Sequence, residues 1–113
     1  MRESDRIRLR HMLDAADEAI CFARDRNRAD LEGNRLLALG LVKCVEVIGE
    51  AASRVTAEMR AELHQIPWAD VVGMRNRLVH AYFDVDLDQV WRTVRDDLPP
   101  LAAELRNALG RER

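Results

Sequence analysis

Apolar residues return every three or four positions along almost all of this 113-residue chain. That period lines one face of an α-helix and conflicts with the two-residue alternation of a half-buried strand. Leu9, Met12, Leu13, Ala16, Ala19, Ile20 and Ala23 form such a face. A first helix is therefore expected from about Ser4, its N-cap, to Ala23. The charged stretch Arg24 to Arg28 reads as a loop. A second helix is expected from about Asp30 to Val55, and its apolar set is unusually wide: Leu36, Leu37, Leu39, Leu41, Val42, Cys44, Val45, Val47, Ile48, Ala51 and Ala52. Such a helix is covered on more than one side, inside a bundle or at a dimer interface. Lys43, Glu46, Glu50 and Arg54 make a narrow polar stripe along it, either a solvated row of ion pairs or a row in which Glu46 or Glu50 faces a site.

Thr56 caps a short third helix, Ala57 to Leu63. Pro67 suits the start of a fourth, which begins at Trp68, turns Val71, Val72, Leu78 and Val79 inward and ends near Phe83. Asp84 or Asp86 caps a fifth. Asp86 with Gln89 three residues on resembles a capping box, and Val90, Trp91, Val94 and Leu98 follow as its apolar face. Pro99-Pro100 should bend or interrupt that helix, and Gly110 should close the final segment, Leu101 to Leu109. With only 5 glycines and 3 prolines, an all-β fold lacks its turns. The expectation is an all-α antiparallel bundle of about five helices, one domain over residues 1–113. At this size a lone core is only modestly stable, which favours a partner surface.

Composition excludes several classes. With 48% apolar and 34% charged residues, the chain is not disordered. A net charge of −2 is not that of a protein coating nucleic acid, so any such contact must be local. Lys43 is the only lysine; the arginines suit phosphate, though genomic base composition also enriches them. Cys21 and Cys44 lack companions at zinc spacing and read as buried thiols in a reducing compartment. Charges throughout Arg2 to Arg10 argue against a secretory leader, and the longest apolar run, Leu36 to Val42, is too short to span a membrane. A cytoplasmic location is expected.

The chemistry concentrates in Met74-Arg75-Asn76-Arg77-Leu78-Val79-His80-Ala81-Tyr82-Phe83. An ordinary core helix gains nothing from grouping these polar types. Metal-independent cleavage of RNA needs a base, an acid and a cation on the phosphate. Histidine titrates near neutrality and serves either proton transfer. Arginine grips phosphate through two donors, and Asn76 is placed to orient either group. On an ideal helix Arg75 and His80 lie about 140° apart. Two copies across a two-fold axis, or local unwinding near His80, would bring such groups together. The alternative is structural: Arg75 pairs with Glu46 or Glu50, and His80 caps a helix end. His11 and His64 read as surface or packing residues, and Trp68 and Trp91 as core anchors.

The run Gly73 to Phe83 resembles the HepT-like branch of the HEPN superfamily, whose Arg-x4-His-x-Tyr motif is complete as Arg75, His80 and Tyr82. The similarity extends to Val47-Ile48-Gly49-Glu50-Ala51, Ile66-Pro67-Trp68, Val85-Asp86, Val90-Trp91 and Leu98-Pro99, in the expected order. The resemblance implies an all-α homodimer whose two motifs line a shared cleft. It also implies an RNase toxin without metal or cofactor: Arg75 and His80 are catalytic, and Asn76, Arg77 and Glu50 are supporting. The implied partner is an MntA-type nucleotidyltransferase antitoxin that transfers AMP from ATP to Tyr82. The competing expectation is a non-catalytic adaptor that binds a nucleotidyltransferase, a nucleotide, or both.

Overall fold

A computed structural model describes residues 1–81 and 84–111. Helix α1 (Glu3–Ala23) is followed by a single turn, α2 (Asp30–Gly33), and then α3 (Arg35–Ser53), α4 (Ala57–Glu62) and α5 (Trp68–Leu78). Two short strands, β1 (Val79–Ala81) and β2 (Asp84–Val85), precede α6 (Leu87–Arg92), a π-helical stretch (Thr93–Asp97) and α7 (Leu98–Gly110). The architecture is the expected helical bundle. Helix α1 packs against α3 and α7, and α3 packs against α5. Leu9, Met12, Leu41, Val45, Ile48, Leu78, Val90, Leu98 and Leu105 are fully buried between them. No described helix is long and apolar enough to cross a membrane.

Local chemistry explains most boundaries. The Thr56 hydroxyl accepts from the Met59 N–H at 3.2 Å and opens α4. That hydroxyl also donates to Asp5 Oδ2 at 2.7 Å, while the Thr56 N–H donates to Asp5 Oδ1 at 2.9 Å. Asp5 is only 3% exposed, so this short network satisfies a buried carboxylate and ties the first turn of α1 to the start of α4. Pro67 precedes α5 as expected. Asp86 caps α6, its Oδ1 accepting from the Gln89 N–H at 3.0 Å. Trp68 packs against the core, with its indole N–H donating to the Leu63 carbonyl at 3.1 Å; Trp91 packs there too.

Other expectations need correcting. Ser4 is not a cap: α1 starts at Glu3, and its N-cap Arg2 makes no side-chain cap bond. The single helix from Asp30 to Val55 is broken at Asn34, whose side chain accepts from the Leu37 N–H at 2.9 Å and begins α3 afresh. Asn competes well for that position because its oxygen satisfies an orphan donor. Cys21 is exposed, and only Cys44 is buried. Val72 is 38% exposed rather than inward. Gly110 lies inside α7, with no left-handed turn.

Pro99 and Pro100 do not interrupt their helix. The Leu98 N–H reaches back five residues to the Thr93 carbonyl. This wider π turn sits where the two proline rings would otherwise press on the Arg95 and Asp96 carbonyls. α6, the π stretch and α7 therefore form one continuous rod.

The fourth helix stops at Leu78, not Phe83. The Leu78 carbonyl accepts from the Asp86 N–H at 2.8 Å. Val79 pairs with Val85, and Ala81 with Asp84, in an antiparallel ladder with an irregularity between the pairs. Val79 and Val85 both pack against the core, and β-branched residues suit such a half-buried pleat. The segment between these pairs, Tyr82-Phe83, lies outside the described residues.

The outer face of α3 stays apolar. Leu36 is 83% exposed and Leu39 42%, beside Phe22 of α1 at 43%.

Candidate functional site

The motif residues sit where α5 gives way to β1. Val71, Met74 and Leu78 bury one side of α5, which leaves Arg75 and Asn76 exposed and Arg77 partly covered. Arg75 Nε lies 3.8 Å from Glu46 Oε2, and Lys43 Nζ is 3.1 Å from the other Glu46 oxygen. Glu46, not Glu50, is thus the carboxylate that α3 sets against the motif arginine; Glu50 is exposed one turn further on. The Arg75–Glu46 contact is long and both side chains are half-exposed, at 45% and 40%. A pair of this kind holds the guanidinium loosely and leaves donors free for phosphate.

The approach of α3 to α5 is close because residue 49 is glycine. A Cβ there would stand 3.2 Å from the Val72 carbonyl oxygen and 3.4 Å from that of Val71. One turn before Gly49, Glu46 is carried against α5 by this contact.

Arg77 points elsewhere. It lines a groove of about 340 Å³ between α5 and α7 with Asp70, Asp96, Asp97 and Glu104. Two helical positions separate it from Arg75, about 160° around the axis. Arg77 therefore does not join the Arg75 group.

His80 is exposed on β1, with its Nε2 at 3.2 Å from Asp86 Oδ2. α5 ends at Leu78 and His80 stands on β1, so the ideal-helix relation between Asn76 and His80 does not apply. The Asp86 carboxyl is held below its ordinary range, first by the Gln89 N–H and then by His80. The carboxylate is ionised, anchored and aimed at an accessible imidazole. Asp86 was legible in the sequence as a helix cap; its second role depends on the hairpin folding back on Leu78. Tyr82 lies outside the described residues. Among those described, no cluster of three His, Cys, Asp or Glu side chains could hold a metal ion.

The site is an exposed imidazole oriented by a carboxylate, beside a helix end carrying a loosely paired guanidinium. Proton transfer by an imidazole and phosphate contact by a guanidinium are within the chemistry of these side chains. The sequence matches the family described as Ribonuclease HepT-like over residues 12–108, and the chain belongs to that family. It is similar to a protein of Methanocaldococcus jannaschii named “Putative RNase”, with 30% identity over 94 residues, 83% of this chain and 86% of the relative. It is also similar to the “Probable ribonuclease HepT” of Thermococcus cleftensis, with 30% identity over 101 residues, 89% of this chain and 92% of that protein. A further “Putative RNase”, from Caldanaerobacter subterraneus subsp. tengcongensis, is 29% identical over 105 residues, 93% and 94% of the two chains. No solved structure gives a significant match.

Proposed function

We propose that the chain is a metal-independent endoribonuclease of the toxin type, acting as a homodimer. The observation that carries this reading is the exposed His80, held by Asp86 at 3.2 Å, in a sequence whose family is described as Ribonuclease HepT-like. One His80 takes the proton from an RNA 2′-hydroxyl as that oxygen attacks the phosphorus. The P–O5′ bond breaks, and His80 of a second copy protonates the leaving oxygen. Arg75 leaves its loose contact with Glu46 and neutralises the charge gathering on the phosphate. Asn76 orients the phosphate. The apolar face of Leu36, Leu39 and Phe22, together with Val72, supports association of this small domain. Neutralisation in this proposal comes from an MntA-type nucleotidyltransferase that places AMP on Tyr82, two residues after His80, so that the added phosphate competes with RNA for Arg75.

The test is RNA cleavage by the chain purified without an antitoxin. His80→Ala should reduce the rate by roughly 10²- to 10⁴-fold, with helicity and oligomeric state retained. Wild-type protein that binds nucleotide through Arg75 but cleaves no RNA would favour the adaptor function instead. Co-expression with the nucleotidyltransferase should add whole AMP units to the intact mass, and Tyr82→Phe should prevent it.

A further inference from the structure

Three groups converge on Asp86. Its N–H donates to the Leu78 carbonyl at 2.8 Å, which fastens its backbone to the end of α5. Its Oδ1 accepts from the Gln89 N–H at 3.0 Å, which fixes the rotation of the carboxylate. Its Oδ2 then faces His80 Nε2 at 3.2 Å. The side chain that meets the imidazole is therefore locked from two other directions. An ionised carboxylate has no proton to give and only accepts. A neutral imidazole carries one N–H, so the nitrogen facing the carboxylate must be the protonated one. The lone pair is left on Nδ1.

We propose that Asp86 is a positioning residue that fixes His80 as the Nε2–H tautomer, making Nδ1 the nitrogen that exchanges protons with RNA. The proposal rests on the reading of His80 as the proton-transfer group. It assigns that role to one atom, and it gives the cap of α6 a second task in the site. The same short connection that starts α6 thereby sets the direction in which His80 is basic.

The experiment is a long-range 15N–1H correlation spectrum of the histidine rings of the full chain, recorded where the imidazole is neutral. His80 is assigned by comparison with His80→Ala. Nε2 should show the shift of a protonated nitrogen and Nδ1 that of an unprotonated one. Asp86→Asn keeps an oxygen for the Gln89 N–H and so keeps the cap. It then turns an amide NH2 toward Nε2, and the proton should move to Nδ1. In the same variant kcat on RNA should fall roughly 10²-fold or more with KM little changed, because phosphate contacts through Arg75 are untouched. Asp86→Ser also caps α6 but has no carboxylate to reach the ring. It should lose the tautomer preference while melting near the parent, which separates orientation from folding. A wild-type ring protonated at Nδ1, an unchanged tautomer in Asp86→Asn, or inversion of the tautomer with full kcat would each overturn the proposal. Full cleavage activity in His80→Ala would instead remove the nuclease role of His80, a failure read without reference to the spectrum.

Discussion

Gly49→Ala tests the close approach that brings α3 to the motif helix, and Gly73→Ala is its control. Both glycines lie in helices, and neither has a positive φ. Replacing either with alanine removes the same entropic penalty, which by itself stabilises by roughly 0.5–1 kcal/mol. At Gly73 a Cβ meets nothing within 4 Å, so that gain should appear in full. At Gly49 the new Cβ stands 3.2 Å and 3.4 Å from two backbone oxygens of α5. Backbone cannot step aside as a flexible side chain does, so a further cost of about 1–3 kcal/mol is expected. Because the propensity gain is common to both variants, their difference isolates the clash. For a chain of this length about 1 kcal/mol moves Tm by roughly 4 °C. The two variants should therefore melt roughly 4–12 °C apart, with Gly73→Ala the higher. The assay is thermal and urea unfolding at one fixed protein concentration, since association also shifts Tm. Gly49→Ala as stable as Gly73→Ala would refute the reasoning, because the two helices would then have room that the structure denies them.

Other outcomes follow from single contacts. Asp5→Ala removes the acceptor of the part-buried Thr56 N–H and hydroxyl and should cost about 1–3 kcal/mol in urea unfolding. Glu46→Gln weakens a half-exposed pair and should change stability by less than about 1 kcal/mol, while RNA affinity rises through Arg75; unchanged or weaker binding would show that Glu46 does not restrain that guanidinium. Alkylation of the native chain should proceed at exposed Cys21 and spare buried Cys44, whose thiol is pushed up to about 12 by burial and by Glu18. That group is raised on folding, so its contribution is intact below the ordinary thiol value near 9 and is lost as pH climbs from there toward about 12. Unfolding free energy should decline over that window, and Cys44→Ala should flatten the decline.

What the sequence made legible was whatever depends on near neighbours. In opening their helices Thr56, Pro67 and Asp86 each act within three residues of themselves, and each stands where its chemistry says it should. The end of α5 was not legible, because apolar spacing continues past Leu78 while the deciding bonds come from Val85 and Asp86 across the hairpin. Helix and strand readings of Val79 to Ala81 are both locally acceptable there, and pairing with Asp84 and Val85 decides between them. Asn34 was a local signal outweighed by the long apolar period around it. Pro99-Pro100 announced a disturbance, but not its form: a π turn whose Leu98 N–H reaches the Thr93 carbonyl. Within the motif, the grouping of Arg75, Asn76, Arg77 and His80 was plain. The divergence of Arg77 into the α7 groove, and the choice of Glu46 over Glu50, are properties of helix packing.

Since His80 follows the helix on a strand, the site depends on parity. Adding or removing one residue along a helix turns a side chain by about 100°, a change a bundle can partly absorb. Along β1 the same edit exchanges the two sides of the ribbon: the place held by Val79 against the core and the place held by His80 in the open would trade occupants. Lengthening this junction by two residues is therefore a milder insult than lengthening it by one.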